Sequence, residues 1–116
     1  MNNRFIKTGI VFFSIMNISI ALAKDASVSI ASPMDGAQLL SSAKNKIDFT
    51  AEPGPKGDHV HITVDDGEPI VVRQLKGSYT FEKLEAGNRD ICVKLMDKNH
   101  TPVGAEKCIK VKVGAY

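Results

Sequence analysis

Short apolar alternations recur along this chain, and turn residues separate them. Val28 and Ile30 alternate with Ser27 and Ser29, ahead of Pro33 and Asp35-Gly36. Ile47, Phe49 and Ala51 alternate with Asp48 and Thr50. Val60, Ile62 and Val64 alternate with His59, His61 and Thr63. Ile91, Val93 and Leu95 alternate with Cys92, Lys94 and Met96, and Ile109, Val111 and Val113 with Cys108, Lys110 and Lys112. A period of two places one set of side chains on each face of a strand. Ile70 to Leu75 and Ser78 to Phe81 read as shorter strands divided by Lys76-Gly77. Pro53-Gly54-Pro55-Lys56-Gly57 and Asp65-Asp66-Gly67-Glu68-Pro69 are turns or loops, because proline supplies no ladder donor and fixes φ. No segment past residue 23 is long and periodic enough for a helix. Seven or eight short, evenly spaced strands predict an all-β, two-sheet sandwich of the immunoglobulin or fibronectin III type. Its expected core is Ile47, Phe49, Val60, Ile62, Val64, Ile91, Val93, Leu95, Ile109 and Val111.

The N-terminus reads differently. Asn2 to Lys7 is short and basic, Thr8 to Ala23 is uncharged and mostly apolar, and Ala21-Leu22-Ala23 is a small-x-small site. That order is the order of a secretory signal peptide cleaved after Ala23. A membrane span needs roughly 20 apolar residues, whereas this run has 16 and is interrupted by Ser14, Asn17 and Ser19. Residues 5 to 22 are expected to be helical and separate from the folded domain. The expected organisation is therefore a signal peptide over 1–23, one β-sandwich domain over 24–116, and a periplasmic location with no membrane contact after cleavage. The leader holds two of the chain's 15 bases and none of its 13 acids, so 13 of each remain. A formally neutral domain argues against nucleic acid as a partner.

Export permits a disulfide, and Cys92 and Cys108 are the only cysteines. Let the last two strands form a hairpin whose paired residue numbers sum to 200. Cys92 then faces Cys108, Lys94 faces Glu106, and Asp90 faces Lys110. The bridge becomes a cross-strand staple on the outer face, closing a loop of about 15 residues, worth roughly 3 kcal/mol in the chain-entropy model. With no Cys-x-x-Cys, a structural role is the better reading than a redox one.

His59-Val60-His61 puts two imidazoles on one strand face, about 6.5–7 Å apart at Cα. Val60 and Ile62 claim the inner face, so these histidines point outward. His100, the third and last histidine, lies at the tip of the final hairpin. In an immunoglobulin-like sandwich the His59 strand neighbours the penultimate strand. Topology thus draws His59, His61, Met96 and His100 toward one rim, with Asp58 nearby. Imidazoles with a thioether lean toward copper, and imidazoles alone suit zinc equally. The competing reading is three solvated histidines on a sheet face and a loop, with Met96 merely covering the sheet.

The chain also resembles small exported, immunoglobulin-like bacterial domains of mostly unassigned function. The carrying motifs are Ser32-Pro33-Met34-Asp35-Gly36, Gly57-Asp58-His59-Val60-His61, Leu84-Glu85-Ala86-Gly87 and Asn99-His100-Thr101-Pro102. Many such domains carry a further histidine two residues after the glycine of the third motif; here that residue is Arg89. The resemblance implies fold and compartment and no reaction.

Two functions follow as expectations. One is a periplasmic metal-binding carrier, buffer or accessory protein, with copper before zinc. The other is a metal-free module for a periplasmic protein partner, docking through the histidine rim or an edge strand such as Ile70 to Leu75. An enzyme is not expected: no nucleophile elbow, no His-Glu-x-x-His and no free cysteine are present.

Overall fold

The computed structural model describes residues 25–115, and the expected signal peptide and its helix lie outside them. The strands are β1 (Ser27–Ser32), β2 (Gln38–Leu40), β3 (Lys46–Glu52), β4 (His59–Val64), β5 (Ile70–Val72), β6 (Lys76–Thr80), β7 (Gly87–Met96) and β8 (Pro102–Gly114). They form two sheets, ordered β1-β3-β6 and β2-β8-β7-β4-β5. No helix occurs among the described residues. The two-sheet, all-β sandwich is thus the observed fold.

Alternation in the sequence becomes alternation in burial. On β7, Ile91, Val93 and Leu95 have no exposed surface, while Cys92 and Lys94 between them are half-buried. Ile47, Phe49, Val60, Ile62, Ile109 and Val111 join them in the core, completed by Ala51, Phe81, Leu84 and Val113. Val64 departs from expectation. It ends β4, packs on the core from its margin and is only partly buried.

The β7–β8 hairpin keeps the sum-of-200 register from Gly87↔Val113 to Lys94↔Glu106. Cys92 pairs with Cys108 and is disulfide-bonded to it. Lys110 Nζ lies 2.9 Å from Asp90 Oδ1, and Lys94 Nζ lies 3.9 Å from Glu106 Oε2. Exposed pairs of this kind contribute about 0–1 kcal/mol, so burial of the apolar face and the staple carry the register.

The uniform register stops at Lys94. Met96 pairs with Pro102, not with Gly104. Three residues of β7 therefore face five of β8, an irregularity that bends a hairpin and re-aims its tip. Pro102 opens the strand instead of lying in the loop. Two further boundaries move. The expected strand from Ile70 to Leu75 ends at Val72, and Lys76-Gly77, expected as a break, starts β6. β2 was not expected at all: three residues show no period, and its parallel partner is β8, far along the chain.

Candidate metal centre

His59 and His61 stand on the outer face of the five-stranded sheet, since the alternating residues Val60 and Ile62 enter the core. They are nevertheless buried: His59 is 0% exposed and His61 9%. Solvent therefore does not surround these two rings, whereas His100 on its loop is exposed. The cover comes from both flanking segments. Ahead of β4, Gly57 lets the chain lie against its neighbours, where a Cβ would meet the Pro53 carbonyl oxygen at 2.5 Å and Leu95 Cδ2 at 2.9 Å. The next amide, Asp58 N–H, donates to the Met96 carbonyl at 2.8 Å and ties this loop to the end of β7.

The β7–β8 loop supplies the other side. The His100 amide donates to the Asp97 carbonyl at 3.0 Å, closing a tight turn over Asp97 to His100. Asp97 Oδ1 accepts from the amides of Asn99 (2.8 Å) and Thr101 (3.0 Å). Asp97 N–H donates to the Thr101 carbonyl at 2.9 Å. His100 itself has φ 62°, left-handed backbone. A three-residue hairpin loop normally puts glycine there. A side chain in that position is projected from the tip, and here it reaches His59 and His61.

The three rings meet through one nitrogen each. His59 Nε2 is 3.2 Å from His61 Nε2 and 3.2 Å from His100 Nδ1, and the last two are 3.1 Å apart. A ring nitrogen carries one in-plane lone pair or one N–H. It cannot aim at two neighbours at once, so hydrogen bonds do not satisfy a closed triangle. Ligands aimed at a common point do give this arrangement. The three nitrogens lie about 1.8 Å from their common centre, against metal–nitrogen distances of about 2.0–2.1 Å. These three nitrogens could therefore hold one metal ion between them.

The tautomer of His59 is set from behind. Its Nδ1 lies 2.9 Å from Asp58 Oδ2. With Nδ1–H donated there, a neutral His59 presents its bare lone pair at Nε2. The hydrogen bond from His59 is also the main reason why the Asp58 carboxyl is held below the usual carboxylate range, with Arg73 and Lys98 adding to it. Arg73 reaches the same Asp58 oxygen at 3.3 Å. Burial lowers the His61 pKa, and the neighbouring His59, His100, Lys94 and Arg73 act in the same direction. A neutral imidazole is the form that donates to a metal.

Met96 lies where the expected rim put it, directly across the ladder from His59 on the outer face. It is 5% exposed. Directly opposed residues have Cβ atoms about 4.5–5.5 Å apart. The sequence reading passed over the roles of Asp58, Arg73 and Asp97. Asp97 two residues before Asn99 was a usable signal, because aspartate side chains cap amides two residues on.

Arg89 lies elsewhere. It bonds Asp65 Oδ2 at 2.7 Å and the Glu85 carbonyl at 3.0 Å, near the start of β7. Met96 is seven residues further along, about 23 Å of strand. A histidine at position 89 would not join this cluster. A second group of donor atoms, Cys92, Glu106 and Cys108, is the disulfide with one neighbouring carboxylate. Bonded sulfurs have no thiolate to offer.

Comparison with known proteins places the fold. The chain is similar to the fibronectin(III)-like modules of Clostridium thermocellum CbhA, with TM-score 0.62 and 24% identity over 76% of this chain and 97% of that one. It is also similar to the extracellular domain of BT4673 from B. thetaiotaomicron, described as a one-component system, with TM-score 0.57 and 11% identity over 81% of this chain. A structure of the same domain described as a hybrid two-component system gives TM-score 0.56 over 84% of this chain. This chain spans only 16% of the length of either BT4673 chain. No family model and no curated protein matches the sequence. At these identities the likeness establishes a fibronectin III-like sandwich.

Proposed function

We propose that this protein binds a single metal ion through His59 Nε2, His61 Nε2 and His100 Nδ1, with Met96 as the fourth donor and copper as the ion. The observation that carries the reading is the nitrogen triangle with edges of 3.1–3.2 Å. Three imidazoles and a thioether form a soft, neutral donor set suited to copper; without the thioether the same imidazoles would suit zinc equally. The role is that of a carrier, buffer or accessory protein in the periplasm, without catalysis of its own. The disulfide and the N-terminal residues 1–23 support export.

The test is a competitive titration of protein purified without a histidine tag. One equivalent should bind, and His100→Ala should cost as much affinity as His61→Ala. Met96→Leu should weaken Cu(I) more than Zn(II). If His100→Ala leaves affinity intact while His61→Ala abolishes it, the three-histidine site is wrong. Should no ion bind more tightly than to an unfolded control peptide, the partner-binding reading takes over. Its candidate surface is β5, one of the two edge strands of the five-stranded sheet among the described residues, where Val71 is 45% exposed.

A further inference from the structure

Charge around the three histidines is arranged to leave the ligand set neutral. Asp58, Asp97 and Glu106 are carboxylates on the loops and ladder positions around the three rings, and each already has a partner. Asp58 Oδ2 faces His59 Nδ1 and Arg73. Asp97 Oδ1 accepts two amides of its own turn. Glu106 faces Lys94 across the β7–β8 ladder. Arg73, Lys94 and Lys98 stand beside these acids, so the carboxylates do not add an uncompensated negative charge around the rings. Lys94 stands directly across the β4–β7 ladder from His61.

An ion entering this site loses water on the His59 side, which is fully buried. The solvation it forfeits grows with the square of its charge, so a divalent ion forfeits about four times what a monovalent one does. Anionic ligands normally offset that loss. Here the donors are uncharged and the one carboxylate in contact with a ring is held one bond away, behind His59.

We infer that the site selects Cu(I) over Cu(II) and Zn(II) by keeping every carboxylate out of the ligand shell. This deepens the metal-binding reading above and rests on it. Loss of an electron from bound copper would raise the charge with no anion to meet it, so the bound ion stays reduced.

The experiment uses the full-length gene product, purified without a tag. Cu(I) is titrated anaerobically against a chromophoric Cu(I) chelator, and Cu(II) and Zn(II) against chelators of their own. Cu(I) should bind the more tightly. Arg73→Glu changes the local charge by two units at a side chain that is 66% exposed, so the fold tolerates it. It should raise Zn(II) and Cu(II) affinity about tenfold more than Cu(I) affinity, the size expected for such a change within a Debye length. Met96→Leu separates charge from softness. If that change alone erases the preference and Arg73→Glu moves nothing, the thioether is the selector and the charge argument is wrong. Divalent ions binding as tightly as Cu(I) would overturn the inference while leaving the metal site in place. Failure to bind any ion would remove the metal site itself.

Discussion

His100 is held in a backbone conformation that favours glycine, and this makes His100→Gly a sharp probe of what the residue is for. At φ 62° a non-glycine residue carries a cost of about 1–2 kcal/mol from its Cβ. Glycine removes that cost but loses about 0.4–1 kcal/mol through the greater freedom of the unfolded chain. His100 is exposed apart from its ring contacts with His59 and His61, at centroid distances of 4.6 and 5.3 Å, so the packing forfeited is confined to those two rings. The metal-free variant should therefore be more stable than the wild type by roughly 0.5–1 kcal/mol, a few degrees in Tm for a domain of this size. With metal the order should reverse. A ligand at 100 times its Kd stabilises the wild type by about 2.7 kcal/mol, and the variant, lacking one of three imidazoles, gains far less. The assay is urea unfolding of both proteins, once with a chelator and once with a slight excess of metal. A crossing of the two stability orders is the expected signature. Equal metal-induced gains would show that His100 is not a ligand. A variant less stable than the wild type under both conditions would show that the loop does not store strain at this position.

Three further outcomes are expected. Mass spectrometry of exported protein should find no alkylatable thiol, and reduction should lower stability by about 3 kcal/mol without changing the strand content. Val93→Asp should abolish folding, because Val93 has no exposed surface and no partner there compensates a charge; a cooperative unfolding transition in that variant would show the inward face to be misassigned. Metal-free stability should fall as pH drops below about 6.5, because the unfolded chain takes up a proton there while folded His61, with its lowered pKa, resists until lower pH. His61→Gln should flatten the difference in urea midpoint between pH 7.5 and 5.5, and an unchanged difference would refute the assignment.

Much of this architecture is local and was therefore legible in the sequence. A period of two decides which side chains share a face, so Val93 and Ile62 could be assigned to the core, and His59 and His61 to a common outer face, from alternation alone. The β7–β8 register was readable because three separate pairs, Cys92 with Cys108 among them, agree on one offset. What remained closed depended on distant chain or on backbone shape. β2 exists only because β8 offers it an edge to pair with in parallel. The outward histidines are buried because a loop 41 residues beyond His59 turns back over them. That return needs the irregular register after Lys94, the Asp97-capped turn and the left-handed backbone at His100. None of these has a period to read. Sequence alternation put two imidazoles on one surface; the tertiary structure brought the third within 3.1–3.2 Å of both, because the bend of a hairpin is set by packing between strands and not by the order of residues within one.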